Sequence, residues 1–348
     1  MTPSKKDSEL KDWLSLDKLQ QDKSQQVAFE ETVTKKEIEK VHREGFRDGI
    51  PCGLDILKDN FSWVPGYVYL FTGYPGSGKS YYVNFLTVEW TKIPKELLWK
   101  DLPGDNKICV YSPENYPVKM LHADLIQAYV GKPIEAKWGE STLKEVDEGH
   151  DYIKDKYHFM NFRDIPTLKV ILDYWEERLK EGYNFFLIDP LNSIAEGTST
   201  GSGGGINKYS KALFTQLKLF ASNNNVIVAC IEHPTRPQLN KDGEYPKVTV
   251  HSIFGGSNVF NKLDCIVILH REGSTLTDNV VEVETAKMKR QQLYGYLGSK
   301  KLAYDWKSHT YGSASSMGSV TAHSQKIKET YKSVDPEENE GDDGDSPW

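Results

Sequence analysis

The chain has 348 residues, 27% of them charged, and a formal net charge of -7. This length accommodates one large domain or two small ones, with a full hydrophobic core. No run of eighteen apolar residues occurs, and the N-terminal stretch MTPSKKDSELKDW has no apolar signal region. These features argue against membrane insertion and secretion, and they favour a cytoplasmic protein.

The net charge is concentrated at the C-terminus. From Asp335 onward, the stretch DPEENEGDDGDSPW contains seven acidic residues and no lysine or arginine, so the residues before it are formally neutral as a group. A neutral body still accommodates a local basic channel, and the acidic block is typical of a separate interaction tail.

The cysteines, Cys52, Cys109, Cys230 and Cys265, form no C-x-x-C pair. Three of them lie in apolar, strand-like runs. This distribution predicts buried, reduced thiols.

Three regions follow one another along the chain. Residues 1–46 are charged and polar, with a helical stretch at 33–46, and are predicted to be an arm or linker. Residues 47–312 alternate apolar strand-like runs with helical patterns, which predicts an α/β fold with a mostly parallel central sheet flanked by helices. Residues 313–348 are rich in Ser, Gly and Lys and then in acid, which predicts a disordered tail. The runs of the middle region are, in order, GYVYLF, KICVYSPE, VKMLHADLIQAYV, TLKVILDYWEERLKEG, NFFLIDP, NKYSKALFTQLKLFASN, VIVACIEH, DCIVILHRE and NVVEVETAKM.

A phosphate-binding loop lies near the start of the middle region. The stretch FTGYPGSGKS at 71–80 fits G-x-x-x-x-G-K-[ST], with a strand-like run before it and the helical stretch SYYVNFLTVEWT after it. In such a loop the backbone amides wrap phosphates, the lysine reaches the β/γ oxygens and the hydroxyl holds Mg²⁺. The sequence therefore predicts binding of ATP or another NTP with Mg²⁺. The predicted nucleotide-binding residues are Gly73, Pro75, Gly76, Ser77, Gly78, Lys79, Ser80 and Tyr81.

Three polar residues at predicted strand ends are candidates for the chemistry of hydrolysis. Asp189 ends the run FFLI and is suited to hold Mg²⁺ with Ser80, although a capping aspartate fits the same pattern. Glu114 follows ICVYSP and is suited to polarise the attacking water, or else to begin the next helix as a surface residue. His233 ends VIVACIE and could sense the γ-phosphate, or be structural.

Two polar loops follow predicted strands, at 197–205 and 236–250. Ligands of open α/β sheets bind at the carboxyl ends of the strands, so both loops are predicted to face the active edge.

The order of these motifs resembles the RecA-like motor domain of the DnaB-type, superfamily 4 hexameric replicative helicases, and within them the phage helicase-primase and Twinkle branch. The resemblance runs from about residue 53 to 312 through GLDIL, the phosphate-binding loop, SPEN, FFLIDPLN, CIEHPTRP, SIFGGSNVFNKLDCIVILHRE and ETAKMKR. It implies a RecA-like P-loop NTPase that forms a homo-hexamer, with nucleotide between neighbouring subunits and single-stranded DNA in the central hole.

The resemblance also implies roles for individual residues. Lys79 and Ser80 match the phosphate and Mg²⁺ contacts, Glu114 the catalytic base, and Asp189 the acid of the metal site. His233 matches the residue that couples the γ-phosphate to a DNA-facing loop. The segments 194–210 and 236–257 match the DNA-facing loops, which makes Lys208, Arg236, Lys241 and, in the adjoining GGSN motif, Asn258 the candidate DNA-binding residues.

The sequence departs from the family pattern in two places. A late strand of the family commonly ends in K-x-R, whose arginine reaches the next subunit's nucleotide, whereas AKMKRQQ has its arginine one place late. Lys287 and Arg290 are the candidates for this role, and Lys289 is the alternative to Arg290. Fewer than fifty residues precede the motor, so a chain that is complete as given is expected to leave priming to another protein.

The resemblance favours a DNA-unwinding motor of a phage or related replicon, located in the host cytoplasm and travelling 5′ to 3′. Two alternatives remain open at this stage, a RecA-family recombinase or regulatory ATPase, and an ATP-binding scaffold or loader of replication proteins. The acidic tail ending in Trp348 is either a solvating end or a recruitment peptide for the replicative polymerase, primase or single-strand-binding protein.

Overall fold

The computed structural model describes residues 33–115, 117–195, 204–235, 246–253, 259–271 and 279–313, and at 204–208 only the backbone is described. The predicted tail from residue 314 onward, the first 32 residues, Arg236, Lys241 and Asn258 lie outside the described residues.

Two helices of the described residues begin at capping boxes. Thr34 and Glu37 form a capping box at the N-terminus of the helix predicted within 33–46, and Thr142 and Glu145 form another for a helix that was not predicted from the sequence. The helices are α1 Lys35–Glu44, α2 Lys79–Lys92, α3 Val118–Val130, α4 Leu143–Lys156, α5 Leu168–Lys180, α6 Gly204–Asn224 and α7 Gln291–Tyr294.

The strands are mostly those predicted from apolar runs, with additions near the C-terminal end of the described chain. The bounds are β1 Ile50–Pro51, β2 Ser62–Trp63, β3 Val68–Thr72, β4 Lys107–Tyr111, β5 Tyr157–Met160, β6 Tyr183–Ile188, β7 Ile227–Glu232, β8 Cys265–His270, β9 Val280–Met288, β10 Gly298–Asp305 and β11 Thr310–Ser313. Of these strands, β1, β2, β5, β10 and β11 were not predicted from the sequence.

Most of the strands form one sheet. Within the described residues its order is β11-β10-β9-β8-β3-β7-β6-β4-β5. Strands β8 to β5 of this order pair in parallel, whereas β9, β10 and β11 are antiparallel. The prediction of a mostly parallel sheet flanked by helices is confirmed, with an antiparallel extension of which only β9 corresponds to a predicted run.

The central strands are buried on both faces. In β3, Tyr69 and Phe71 pack into the core that contains α2, whereas Val68 and Leu70 pack into the core formed with α5 and α6. All residues of β3, β6 and β7 are buried, as expected for parallel strands covered by helices on both sides. Full burial of a side chain such as Phe71 contributes about 1.5 to 3 kcal/mol, so the sheet is a rigid support for the residues at its edge.

All four cysteines are free and buried, which confirms that prediction. Among the described residues, no helix combines the length and the apolar character that crossing a bilayer requires.

Candidate functional site

Four neighbouring parallel strands end at one edge of the sheet and bring the candidate residues together there. Strands β3, β7, β6 and β4 lie side by side in that order. The register aligns Thr72 with Glu232, and Ile188 with Tyr111. The residues that follow these strand ends, the phosphate-binding loop, His233, Asp189 and Ser112 to Asn115, therefore share one edge.

The phosphate-binding loop connects β3 to α2, as predicted. At Gly73 a Cβ atom would lie 2.4 Å from the carbonyl oxygen of Leu269, so a side chain does not fit there. Gly78 precedes α2 with φ 88°, a left-handed conformation that favours glycine. These two glycines let the loop turn tightly onto the N-terminus of a 14-residue helix, where backbone N–H groups and the helix dipole attract phosphate.

The Lys79 ammonium lies across this loop. Its Nζ atom donates hydrogen bonds to the carbonyl oxygens of Gly73, at 2.7 Å, and Tyr74, at 3.0 Å. Burial lowers the pKa of Lys79 to about 8, while the carboxylates of Asp189 and Glu114 oppose that shift. A buried cation held inside a loop of backbone amides is suited to bind the β- and γ-phosphates.

Asp189 is buried beside the first turn of α2. Ser80 Oγ donates to its Oδ1 atom at 3.2 Å, and Asn115 Nδ2 donates to its Oδ2 atom at 3.3 Å. Burial raises the pKa of Asp189 to about 6, with the Ser80 hydrogen bond acting in the opposite direction. A hydroxyl and a carboxylate at this distance are the hard oxygen ligands that Mg²⁺ prefers, so Ser80 and Asp189 fit the metal expected with the nucleotide.

Two polar residues that orient Asp189 were not identified from the sequence. Ser112 Oγ lies 3.5 Å from Asp189 Oδ2, and Asn115 Nδ2 also donates to Ser112 Oγ at 2.7 Å. Both belong to SPEN, the motif that contains Glu114. The sequence feature that could have identified Ser112 and Asn115 is the one that identified Glu114: a polar side chain directly after a buried strand.

Glu114 and His233 complete the set. The exposed Glu114 follows β4, and its charge acts on Lys79, Asp189 and His233. Burial, together with the charge of Lys79, holds the pKa of His233 below its ordinary value. In the described part of the chain its Nδ1 atom is buried without a hydrogen-bond partner. A neutral imidazole is therefore available for a ligand at this edge.

The outer part of the loop leads to a group of rings. Pro75 and Gly76 are exposed at the loop tip, and Ser77 is buried. The ring of Tyr81, 39% exposed, stacks on His309 with centroids 4.6 Å apart and planes at 8°.

The hairpin of β10 and β11 supplies the other members of this aromatic cluster, which we define as Tyr81, Tyr304, His309 and Tyr311. The Tyr304 hydroxyl lies 2.8 Å from His309 Nδ1, and the Tyr311 hydroxyl donates to the carbonyl oxygen of Gly78 at 3.3 Å. Only Tyr81 was identified from the sequence, because no local motif marks the hairpin.

Lys287 and Arg290 lie at the other edge of the sheet. Met288 pairs with Cys265 at the start of β8, and Asp264 N donates to the carbonyl oxygen of Val68 at the start of β3. The phosphate-binding loop follows the far end of β3, so neither basic residue lies at this chain's own phosphate site.

The basic residues of that edge differ in their contacts. Lys287 Nζ contacts the carbonyl oxygen of Phe260, and Lys289 Nζ donates to Asp264 Oδ1 at 2.6 Å. Arg290 has φ 54°, and its guanidinium lies 6.0 Å from the ring of the exposed Phe46. An internal salt bridge thus engages Lys289, whereas the side chain of Arg290 lies over the ring of Phe46.

Most of the candidate DNA-binding residues lie outside the part of the chain that the structure describes. Arg236, Lys241 and Asn258 lie outside the described residues, and Lys208 lies on α6, its side chain not described. The helix α6 begins at Gly204, so the end of the loop predicted at 197–205 belongs to the helix.

The fold and the site together define a RecA-like P-loop NTPase. We find no protein-family model that matches the chain. The Twinkle homolog protein, chloroplastic/mitochondrial, of Arabidopsis thaliana is 24% identical over 277 residues, which are 77% of this chain and 37% of that protein. The chain therefore spans 37% of the length of this relative.

Two solved structures share the fold. The ATPase domain of a DnaB-like helicase is 15% identical with a TM-score of 0.64, over 82% of this chain and 99% of that chain. A DnaB-like replicative helicase, studied with its interactions with primase, is 14% identical with a TM-score of 0.58, over 86% and 71%. The fold is that of DnaB-type helicase ATPase domains, and the sequence similarity is to the Twinkle branch, so the resemblance predicted from the motifs is confirmed.

Proposed function

We propose that this chain is the motor of an ATP-dependent replicative DNA helicase, with residues 47–312 as the motor, 1–46 as an arm and 313–348 as a tail. The observation that carries this proposal is the convergence of Lys79, Asp189 and His233 on one edge of the sheet, with Glu114 beside them. A site that only holds nucleotide needs the loop, whereas turnover also needs a base and a residue that senses the γ-phosphate.

The phosphate end of the nucleotide is held by the loop. The backbone N–H groups of the loop, which Pro75 alone lacks, and the Lys79 ammonium bind the β- and γ-phosphates, and Ser80 and Asp189 would hold Mg²⁺. Bound there, Mg²⁺ would neutralise charge that develops on the phosphate oxygens. Asn115 and Ser112 hold the Asp189 carboxylate through its Oδ2 atom, so that its Oδ1 atom stays beside the Ser80 hydroxyl.

Glu114 accepts the proton of the attacking water. It is exposed at the mouth of the site and sits in a turn that follows a rigid strand, so that it can face a water in line with the γ-phosphate. His233 lies next to the buried end of β7 and precedes the segment that carries Arg236 and Lys241. Its imidazole would donate a hydrogen bond to the γ-phosphate. Loss of that bond on hydrolysis would then change the position of the segment that carries Arg236 and Lys241.

The base of the nucleotide stacks on the aromatic cluster. Tyr81 follows Ser80 directly and has one face covered by His309, while 39% of its surface remains exposed. Replacing Tyr81 by Ala should weaken binding of ATP about tenfold by removing a stacking partner worth about 1 to 3 kcal/mol. Binding of inorganic tripolyphosphate, which has no base, should stay unchanged. Equal weakening of both ligands would place the base elsewhere.

The active assembly is a ring-shaped homo-hexamer with single-stranded DNA in its central channel. Arg290 enters the nucleotide site of the adjacent subunit, because it lies at the sheet edge opposite this chain's own phosphate-binding loop. Lys287 supports it from the end of β9. Lys208, Arg236, Lys241 and Asn258 contact the DNA backbone without reading sequence.

The acidic tail recruits the replicative polymerase, primase or single-strand-binding protein in the cytoplasm of the source or host cell. Removing residues 335–348 should leave ATP hydrolysis unchanged and weaken that association, and Trp348→Ala alone should reproduce the weakening. Unchanged association in both variants would reduce the tail to a solvating end.

A forked-DNA assay tests the function. The protein with ATP and Mg²⁺ should separate a fork with single-stranded tails, and Glu114→Gln should bind nucleotide and DNA but not unwind. Strand exchange without unwinding would show a recombinase instead. Nucleotide binding with no DNA-stimulated hydrolysis would show a scaffold.

A further inference from the structure

We infer that Asp264 is a positioning residue, which sets the direction of Arg290 by holding Lys289 and which connects that setting to the strand of the phosphate-binding loop. This inference rests on the proposed role of Arg290 in the neighbouring subunit's nucleotide site. It concerns how one subunit presents the arginine, a question that the proposed function leaves open.

Asp264 is a fully buried carboxylate with three donors. Its Oδ2 atom accepts hydrogen bonds from Val68 N at 2.9 Å and from Lys218 Nζ at 2.8 Å. Its Oδ1 atom accepts from Lys289 Nζ at 2.6 Å. The side chain of Asp264 is 0% exposed, whereas Lys218 and Lys289 are 29% and 43% exposed. One acid thus joins the start of β3, the helix α6 and the end of β9.

The contacts of Lys289 fix the backbone just before Arg290. Besides its side-chain bond, Lys289 donates its backbone N–H to the carbonyl oxygen of Asp264 at 2.9 Å. On the other side, the Arg290 carbonyl oxygen accepts from the N–H groups of Leu293 and Tyr294, at 2.9 and 3.1 Å. The residue between these two anchors is itself left-handed at φ 54°, a conformation that costs a non-glycine residue about 1 kcal/mol. The direction in which the Arg290 side chain leaves the backbone is therefore held from both sides.

The same carboxylate is tied to the strand that carries the nucleotide loop. Val68 donates to Asp264 Oδ2 and accepts from Asp264 N at 3.2 Å. Val68 begins β3, a fully buried strand whose last residue, Thr72, leads into the phosphate-binding loop. The buried side chain of Asp264 thus fixes the position of Arg290 relative to the strand that leads into the subunit's own nucleotide site.

A role in stability alone does not require this arrangement. A buried ion pair is often no more stabilising than apolar residues of similar volume, because removing the charges from water offsets their attraction. The ion pair instead fixes the position of Lys289, its more exposed member. Lys289 directly precedes Arg290.

The experiment compares the two lysines of Asp264. Lys289→Met removes the ammonium next to Arg290 and keeps the apolar stem, and Lys218→Met removes the other ammonium without changing β9. Steady-state kinetics with DNA should show that Lys289→Met lowers kcat about 10- to 100-fold with KM for ATP unchanged, since a misplacement of about 1 Å costs on that scale. Lys218→Met should stay within about twofold of the wild-type kcat although it also lowers thermal stability, because Lys218 Nζ donates to Gly66 O as well as to Asp264. Lys289→Arg, which keeps the charge, should retain most of the rate.

A double-mutant cycle with Arg290 separates this inference from the proposed function. If Asp264 and Lys289 act through Arg290, Lys289→Met should cause no further loss of kcat in an Arg290→Ala background. The positioning role would be overturned, without affecting the role of Arg290, if the two substitutions lowered kcat multiplicatively in the double variant. It would also be overturned if Lys218→Met and Lys289→Met lowered kcat equally, in line with their melting temperatures. An Arg290→Ala enzyme with the wild-type rate would overturn the assignment of Arg290 itself.

Discussion

Ser80 Oγ lies 3.2 Å from Asp189 Oδ1, although 109 residues separate them in the chain. The contact joins the first turn of the helix after the phosphate-binding loop to the end of a strand two places away in the sheet. Every role proposed for the metal depends on this pair.

Replacing Asp189 by Asn should reduce ATP hydrolysis by at least about 100-fold and raise the Mg²⁺ concentration that the reaction requires, because an amide supplies no charge to the metal. Asn115→Ala leaves the carboxylate but removes one of its hydrogen bonds, and such losses weaken metal affinity about 10- to 100-fold. Mg²⁺ titrations of the ATPase rate measure both. Identical Mg²⁺ requirements in all three proteins would remove Asp189 from the metal site.

Lys79→Met should abolish hydrolysis while leaving the folded protein no less stable at pH 7. Burial lowers the pKa of Lys79 to about 8, and a lysine in an unfolded chain titrates near about 10.4. The unfolded chain therefore binds this proton more tightly, and the charge of Lys79 destabilises the fold increasingly as the pH falls from about 10 to 8. Thermal unfolding without nucleotide, with Lys92→Met on the same helix as the control, measures the effect. A melting temperature well below that of Lys92→Met would contradict it.

Arg290→Ala should act on the neighbouring subunit, and arginine residues of this kind contribute about 10³ to 10⁵ in rate. Mixing the variant into wild-type protein should depress the ATPase rate more steeply than simple dilution, because each defective subunit also disables its neighbour's site. Loss in strict proportion to the variant fraction would mean that Arg290 acts within its own chain or not at all.

Glu232→Gln should change the pH dependence of stability. Burial raises the pKa of Glu232 to about 8, and its Oε2 atom lacks a hydrogen-bond partner among the described residues. A glutamate of the unfolded chain ionises near about 4.3, so this group costs stability as the pH rises from there to about 8, by up to about 5 kcal/mol. The melting temperatures of wild type and Glu232→Gln should agree at pH 4, and that of the variant should be higher at pH 8. Parallel melting curves across this range would show that Glu232 is ionised in the folded protein.

DNA binding should depend on the basic residues next to the strand ends. For single strands the slope of log K against log salt is about -0.7 per neutralised phosphate, so replacing Lys208, Arg236 and Lys241 together by Ala should reduce its magnitude by about 2. Fluorescence anisotropy of a labelled oligonucleotide between low and high salt measures the slope. A wild-type slope in the triple variant would place the DNA on another surface.

The sequence was sufficient for features that depend on contiguous residues. The phosphate-binding loop is a local backbone structure, so its glycines, Lys79 and Ser80 were predicted with the strand and helix that flank them. The helix Val118–Val130 was predicted with its observed bounds from its apolar pattern. The capping box of helix α4 is equally local, because Thr142 and Glu145 are three residues apart. This helix was nevertheless not predicted.

Tertiary structure decided the features that depend on contacts between distant residues. The order in which β3, β7, β6 and β4 lie in the sheet is not their order in the chain, and it alone brings His233 and Asp189 to the phosphate-binding loop. The Tyr311 hydroxyl reaches Gly78 across 233 residues, and Lys289 reaches Asp264 across 25. Such contacts leave no local pattern, because side chains that meet only after the sheet has formed place no requirement on their sequence neighbours.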